Sequence, residues 1–328
     1  MKKYLIIFTF IILSVFFFIL FPIGKREGKL PERLEGEKED FQEEGGGEIK
    51  NYNMLGKALE PYPSYDLFPI RDYKIALPEL GEKAGIAILF NQQGKGNILY
   101  QKNINEKLPV ASLTKLMSAI IVIDKYPLDK EVTVSQRAVW TEGESGRLSP
   151  GEKITIKNLL YLSLLVSSND AASALAEVIG ENKFVDLMNK KVQEIGLKNT
   201  HFASPHGLDN KENFSTAEDL AFLTQYSILN YPSLWEILKI EEIDIVSYDH
   251  LERDILHHTR NTNKLLLEEG VIGGKTGYTE EAKDTMILAV KAPGKIQGNI
   301  VLVLLGVDNR IQRTKQLYDW VLKAWEWE

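Results

Sequence analysis

The stretch LPVASLTKLMSAIIVID, residues 108–124, places Ser112 three residues before Lys115, at the point where an apolar helical pattern begins. Side chains at positions i and i+3 of a helix lie on one face, about 5–6 Å apart. Two interpretations fit this spacing. One is a core helix with a polar first turn, and the other is a serine nucleophile that carries its own base. Taken alone, the pair favours the first interpretation.

The second interpretation makes a demand on the lysine. A serine hydroxyl becomes an effective nucleophile only when a base removes its proton. Lysine is such a base only as a neutral amine, so its usual pKa of about 10.4 must fall by about 3 units, roughly 4 kcal/mol, for work at pH 7. Burial and a second cation nearby both lower the pKa of an ammonium group. The rest of the chain must therefore supply a buried site and another cation.

Composition excludes several classes of protein. The 328 residues have room for one large domain or two ordinary ones, and 44% of them are hydrophobic. The net charge is −7 with no long basic run, which argues against nucleic acid as a partner. The chain has no cysteine, so disulfides, a thiol nucleophile and cysteine-ligated metals are excluded. We expect no metal and no cofactor.

The N-terminal segment, residues 1–23, predicts a membrane anchor. Lys2 and Lys3 precede an uncharged apolar run at residues 4–23. Twenty helical residues span roughly 30 Å, the thickness of a bilayer core. The run is longer than the apolar region of a typical signal peptide and no small-x-small cleavage site follows it, although a cleaved signal peptide is the alternative. Basic residues on both sides leave the orientation open.

Residues 24–74 predict a tether and a lead-in, followed by one folded domain at 75–328. Residues 24–52 are charged, rich in glycine and poor in large apolar side chains, so they cannot bury a core. About 30 flexible residues span about 30 Å. A segment rich in proline and tyrosine leads into the domain.

The domain alternates between strand and helix patterns. AGIAILF and NILYQKN, around NQQGKG, predict a β-hairpin, and DTMILAVKA and GNIVLVLLGVD predict two later strands. Helical patterns fill the middle, with an interruption at SSN, a glycine stop after KFVDLMNKKVQEI and a capping box formed by Ser215 and Glu218. A last helix over RTKQLYDWVLKAWEW, residues 313–327, places Leu317, Val321, Leu322 and Trp325 on one face. We predict an α/β domain whose mainly antiparallel sheet comes from both ends of the chain, with flanking helices and a helical insertion.

Two further polar motifs fit a nucleophile site. Ser167 and Asn169 lie in the SSN break between apolar helices, where polar side chains can face a cleft. Lys275, Thr276 and Gly277 follow two glycines in GVIGGKTGYTEEA. Lys275 is a second cation that would help to keep Lys115 neutral, and glycines allow a backbone to approach a ligand closely. Taken singly, each motif also fits an ordinary polar turn.

Together, the motifs Ser-x-x-Lys, Ser-x-Asn and Lys-Thr-Gly occur in the order typical of class A β-lactamases and penicillin-binding proteins. Over residues 75–328 the chain resembles the serine D-alanyl-D-alanine carboxypeptidases. The segments LSPGEKITIKNLLYLSLLVSSNDAASALAE, FASPHGLDN and FSTAEDLA extend the resemblance beyond the three motifs. β-Lactamases lack these segments, and no convincing Glu-x-x-Leu-Asn for a deacylating glutamate is present.

The resemblance implies a β-lactamase/transpeptidase-like fold and a role for each motif residue. Ser112 would be the acylated nucleophile and Lys115 its base, and Ser167 would share proton transfer by relaying a proton between Lys115 and the leaving amine. Asn169 and Gly277 would line the substrate, and the backbone N–H groups of Ser112 and Tyr278 would form an oxyanion hole. The terminal carboxylate of the substrate would be bound by Lys275, Thr276 and Arg310. Arg313 is the alternative to Arg310.

Some residues depart from the family pattern or have a simpler interpretation. After Lys-Thr-Gly the family typically has Ala-Gly and then an apolar or aromatic residue, whereas this chain has Ala282-Lys283-Asp284. Such a change beside the cleft would reshape substrate access. His206 and Asp209 are interpreted as fixing a loop, and His257-His258 as core or surface residues rather than metal ligands.

We expect a serine D-Ala-D-Ala carboxypeptidase that trims peptidoglycan stem peptides and is acylated by β-lactam antibiotics. Because peptidoglycan lies outside the cytoplasmic membrane, the domain would face outward on a single-pass anchor, or be secreted if the segment is cleaved. Two alternatives remain open: a β-lactamase with fast deacylation, and a tethered wall-binding module without activity.

Overall fold

A computed structural model describes residues 68–92, 94–143 and 146–327. The predicted anchor and most of the predicted tether lie outside these residues. In the described part of the chain, no helix is both long and apolar enough to cross a membrane. The helices there are α1 (Lys115–Lys125), α2 (Gln136–Val139), α3 (Ile156–Leu165), α4 (Asn169–Glu177), α5 (Glu181–Ile195), α6 (Ala217–Asn230), α7 (Pro232–Leu238) and α8 (Arg310–Ala324). A 3₁₀ helix, Ala111–Thr114, runs directly into α1.

The main sheet is antiparallel, and its strands lie in the order β3 (Gly96–Lys102), β2 (Ala84–Asn91), β10 (Gly298–Val307), β9 (Lys283–Lys291) and β8 (Val271–Thr279). The first hairpin pairs with the last strands of the domain, which confirms the prediction of one sheet built from both ends. The strands of the described residues are β1 (Ile70–Arg71), β2 (Ala84–Asn91), β3 (Gly96–Lys102), β4 (Glu131–Thr133), β5 (Lys153–Thr155), β6 (Glu242–Tyr248), β7 (Asp254–Arg260), β8 (Val271–Thr279), β9 (Lys283–Lys291), β10 (Gly298–Val307) and β11 (Trp325–Glu326).

The sheet separates two hydrophobic layers. Successive side chains of a strand point to opposite faces. In β10, Val301 and Val303 therefore pack into the core formed with the helical insertion, whereas Leu302 and Leu304 pack with α8 on the other face. All four are fully buried. Burial on both faces explains why this strand is a continuous apolar run in the sequence.

The structure contains a second sheet that the sequence analysis missed, with the order β4-β5-β6-β7. Its first two strands have only three residues each. The other two form a hairpin with Ile245 buried in the core and Val246 exposed beside it. Such short or half-exposed strands give a weak pattern, although the alternation in EEIDIVSY was visible.

Two predicted helix termini are wrong by a small shift. The N-cap of α6 is Thr216, whose hydroxyl accepts from Asp219 N, instead of Ser215. Ser215 is held in a β-bridge with Leu108, and its hydroxyl bonds to Thr200. At the other end of the domain, α8 stops at Ala324, and the next residues form β11, which pairs with β1.

The remaining predicted elements are confirmed. Helices α3 and α4 are separated by the SSN break, and Ser168 caps α4 by accepting from Ala171 N. Helix α5 ends at Gly196 in the left-handed conformation. On α8, Leu317 and Val321 are buried, and Leu322 and Trp325 pack partly buried against the same core.

Candidate active site

Ser112 and Lys115 meet at the junction of the 3₁₀ helix and α1. Ser112 lies in the 3₁₀ helix and is half-buried, and Lys115 is the first residue of α1 and is fully buried. Lys115 Nζ lies 2.8 Å from Ser112 Oγ. The i, i+3 spacing thus produces direct contact, as the nucleophile interpretation requires.

Three oxygen atoms surround Lys115 Nζ. Besides Ser112 Oγ, these are Asn169 Oδ1 at 2.6 Å and the carbonyl oxygen of His206 at 2.9 Å. A neutral amine has two N–H donors and one lone pair. It can donate to Asn169 Oδ1 and to the carbonyl oxygen of His206, which can only accept. Its lone pair can then accept a hydrogen bond from the Ser112 hydroxyl. An ammonium group with three N–H donors would fit the same three oxygens, so burial and the neighbouring charges decide the protonation state of Lys115.

The surroundings also favour the neutral form energetically. Burial lowers the pKa of the Lys115 ammonium well below its usual value, and the positive charge of Lys275 lowers it further against a smaller opposing effect of Asp170. Lys275 is also buried, with 1% of its surface exposed. Burial, and then the charge of Arg310, lower the pKa of Lys275 to about 7. Both requirements derived from the sequence, a buried lysine and a nearby cation, are met.

Ser167 contacts a different lysine from the one expected. Its backbone has φ +62° in the break between α3 and α4, and its hydroxyl accepts from Lys275 Nζ at 2.8 Å. Lys275 also donates to the carbonyl of Thr276. Because Ser167 is paired with Lys275, any proton that it transfers would be exchanged with Lys275 rather than with Lys115 directly.

Asn169 and the edge strand β8 form the two walls beside the nucleophile. Asn169 Nδ2 donates to the carbonyl of Glu142 at 2.7 Å, which fixes the amide with its oxygen towards Lys115. On β8, a Cβ atom added to Gly277 would lie only 3.0 Å from Ser112 N. A glycine there lets the strand approach the backbone of the nucleophile.

The other two β8 residues have distinct surroundings. Thr276 is buried, and its hydroxyl lies 2.6 Å from that of Thr262, a partner that the sequence did not predict. The Tyr278 ring is exposed and its hydroxyl donates to Glu280. The oxyanion role of the Tyr278 backbone N–H stays a prediction.

Arg310 lies beside β8, and Arg313 points elsewhere. Arg310 begins α8, forms an ion pair with Asp284, and brings Nη1 to 3.5 Å from the carbonyl oxygen of Gly277. Arg313 instead pairs with Asp308 at 2.9 Å. Of the two arginines proposed for the substrate carboxylate, the structure brings only Arg310 next to the Lys-Thr-Gly strand.

The histidines follow their simpler interpretations. His206 Nδ1 accepts from Leu208 N at 3.2 Å and fixes the loop, and burial, then the charge of Lys115, lower the pKa of His206 to about 4. His257 is buried against Glu152, with 2.7 Å between Nε2 and Oε1, and His258 lies on the surface beside Asp244. No cluster of potential metal ligands occurs within the residues that the structure describes.

Two backbone groups at the site were missed from the sequence. The carbonyls of His206 and Glu142 orient Lys115 and Asn169, and a carbonyl leaves no trace in side-chain patterns. The segment PHGLDN indicated only a loop, and its place beside the nucleophile depends on how that loop packs.

Comparisons with known proteins agree with this geometry. The sequence profile of peptidase family S11, D-alanyl-D-alanine carboxypeptidase, matches residues 75–309. The D-alanyl-D-alanine carboxypeptidase DacF of Bacillus subtilis (strain 168) is 35% identical over 249 residues, which cover 73% of this chain and 61% of that protein. A D-alanyl-D-alanine endopeptidase of Pseudomonas aeruginosa is 32% identical over 254 residues, with 76% and 80% covered. The chain thus spans less than two thirds of the Bacillus relative.

Solved structures show the same fold. The Streptomyces K15 DD-transpeptidase has a TM-score of 0.69 and 28% identity, with 76% of this chain and all of that chain covered. A D-alanyl-D-alanine carboxypeptidase from Mycobacterium tuberculosis H37Rv has a TM-score of 0.67 and 26% identity, with 77% and 95% covered. The fold class predicted from the sequence is confirmed.

Proposed function

The chain belongs to the D-alanyl-D-alanine carboxypeptidase family, peptidase family S11, and from that membership and the site geometry we propose that it is a serine D-Ala-D-Ala carboxypeptidase. Its substrates would be peptidoglycan stem peptides, and β-lactam antibiotics would acylate the same serine. The observation that carries the proposal is the fully buried Lys115 amine 2.8 Å from the Ser112 hydroxyl. Burial is costly for the charged form of a lysine, so this position favours the neutral amine that a general base needs.

The reaction begins with acylation. Ser112 Oγ attacks the carbonyl carbon of the penultimate D-Ala while its proton passes to Lys115 Nζ. The backbone N–H groups of Ser112 and Tyr278 would stabilise the oxyanion. Collapse of the intermediate breaks the amide bond, and the leaving amine takes a proton, for which the Lys275–Ser167 pair is a second source besides Lys115. Once Lys115 is neutral again, it would accept a proton from the water that attacks the ester, and this proton would return to Ser112 Oγ as the ester bond breaks.

Substrate binding would use the opposite side of the cleft. Charged Lys275 and the Arg310 guanidinium lie along β8 next to Gly277, and a terminal carboxylate is the ligand that such groups favour. Asn169 would hold a substrate amide across from that strand.

Intact-mass measurement with benzylpenicillin tests the proposal. The full chain in detergent should gain one penicillin adduct on Ser112 within minutes and keep it for hours, and Ser112→Ala should gain none. The wild-type chain should also release D-Ala from a stem pentapeptide. An adduct that is lost rapidly together with hydrolysed drug would instead indicate a β-lactamase, and no adduct at all would favour the wall-binding module.

We also propose that residues 4–23 anchor the protein in the cytoplasmic membrane with the folded domain outside. The uncharged apolar run of 20 residues and the external location of peptidoglycan support this topology. Protease added to intact cells should degrade the domain, and protection of residues 75–328 would contradict the topology.

A further inference from the structure

Asp284 occupies an unusual place at the edge of the site. It is the second residue of β9, where it pairs with Tyr278 of β8 on one side and Val307 of β10 on the other. The residue before it, Lys283, has φ +58°, a conformation that glycine adopts more easily. The chain thus keeps the turn geometry that favours glycine and follows it with a carboxylate.

That carboxylate contacts Arg310 in two ways. Asp284 Oδ2 accepts the backbone N–H of Arg310 at 3.2 Å, and Oδ1 forms an ion pair with Nη1. The side chains are only 20% and 27% exposed, so the pair is partly shielded from solvent. The carboxylate also lies at the N-terminus of the 15-residue α8, where the helix dipole favours a negative charge.

Arg310 faces the substrate side at the same time. The Nη1 atom that pairs with Asp284 is 3.5 Å from the carbonyl oxygen of Gly277, on the strand that approaches Ser112. The charge of Arg310 is also felt at Lys275, whose pKa it lowers after burial. Any anion that binds Lys275 and Arg310 together would therefore meet the carboxylate of Asp284.

We propose that Asp284 is a resident counter-ion of Arg310 and sets how strongly the site selects substrates that end in a free carboxylate. The inference rests on the proposed function and goes beyond it. In the free protein, Asp284 already satisfies part of the guanidinium, so an incoming carboxylate gains less from Arg310 and is repelled by Asp284. The site therefore selects less strongly for a free carboxylate. A ligand without a carboxylate binds less poorly, relative to one that has it, than it would if Asp284 were neutral.

Asp284→Asn isolates the charge from the structural role. An asparagine keeps an oxygen that can accept the Arg310 backbone N–H, and it removes the negative charge from Arg310. Asp308→Asn is the matched control, because Asp308 pairs with Arg313 at the same end of α8 but is exposed and away from β8.

The experiment uses the full chain in detergent and two ligands that differ in one group, benzylpenicillin and its methyl ester. We expect Asp284→Asn to raise the second-order rate of acylation by benzylpenicillin about tenfold, because the variant removes a negative charge that repels the carboxylate of the drug. The ester should change less than about twofold, as the charge difference predicts. For a D-Ala-D-Ala peptide with a free carboxylate, KM should fall by about the same factor with kcat nearly constant. Asp308→Asn should match the wild type throughout.

Each outcome has a separate meaning. Equal changes for acid and ester, or no change, would overturn the role of Asp284. A shifted acid-to-ester ratio without peptide hydrolysis would support Asp284 and contradict the carboxypeptidase function. Peptide hydrolysis with an unshifted acid-to-ester ratio would support the carboxypeptidase function and contradict the role of Asp284. A wild type that reacts with neither penicillin would contradict both proposals.

Discussion

Replacement of Gly207 by alanine tests whether the loop that carries the His206 carbonyl positions the nucleophile. Gly207 is buried with φ +85°, and a Cβ atom added there would lie 2.0 Å from the carbonyl oxygen of Ala111, the residue before Ser112. Since ordinary contact begins at 3.4 Å, the two backbones must separate by about 1.4 Å. A displacement of about 1 Å in a catalytic geometry costs about 100-fold in rate. We expect acylation of Gly207→Ala by benzylpenicillin, followed by intact mass, to be at least about 100-fold slower.

Gly196→Ala is the control for backbone strain. Gly196 has nearly the same φ, +84°, but it is exposed at the end of α5, and an added Cβ atom there meets nothing within 4 Å. Both variants place alanine in the left-handed region, at a cost of about 1–2 kcal/mol, so Gly196→Ala should lose a few degrees of thermal stability. Gly207→Ala should lose more, because its Cβ atom also meets the carbonyl oxygen of Ala111. Only Gly207→Ala should lose the fast acylation. If the two variants acylate within about threefold of each other, the packing of this loop does not position Ser112.

Three further outcomes are expected. Lys115→Arg replaces the base by a guanidinium that stays charged, so the rate of acylation should fall by about 10²–10⁴-fold. In stopped assays the rate should not recover up to pH 10, and recovery would exclude Lys115 as the base. Lys275 has a pKa of about 7 and attracts the carboxylate only when charged, so kcat/KM for a D-Ala-D-Ala peptide should decline above about pH 7 in a pH profile, and a flat profile to pH 9 would contradict this. Glu152→Ala leaves His257 buried without its carboxylate partner and should cost about 3–5 kcal/mol in urea unfolding. Burial raises the pKa of Glu152, but hydrogen bonds, first from His257, outweigh it and lower the pKa, while the bond to Glu152 raises the pKa of His257. The loss of unfolding free energy relative to wild type should therefore be complete between about pH 4.5 and 6.5. It should shrink as the pH falls through the lowered pKa of Glu152 and as the pH rises through the raised pKa of His257. An equal loss at pH 3, 5.5 and 9 would contradict this linkage.

Much of the fold was predictable because it depends on neighbours in the chain. The break at SSN, the glycine that ends α5 and the turn between β2 and β3 are properties of a few adjacent residues, and the structure confirms each. The shift from Ser215 to Thr216 at the start of α6 shows where such local rules fail. Both residues can cap a helix, and the β-bridge between Ser215 and Leu108, which are far apart in sequence, decides between them.

The site divides in the same way. The sequence alone predicted which residues would carry the chemistry, since the motifs around Ser112, Asn169 and Lys275 are each a few residues long. The tertiary structure decided what those residues do to one another. Lys115 gains acceptors 54 and 91 residues away, and Lys275 finds Ser167 at a separation of 108 residues. The physical reason is that a side chain's type is a local property, whereas desolvation and charge pairing, which set the pKa of Lys115, depend on which distant surfaces meet around it.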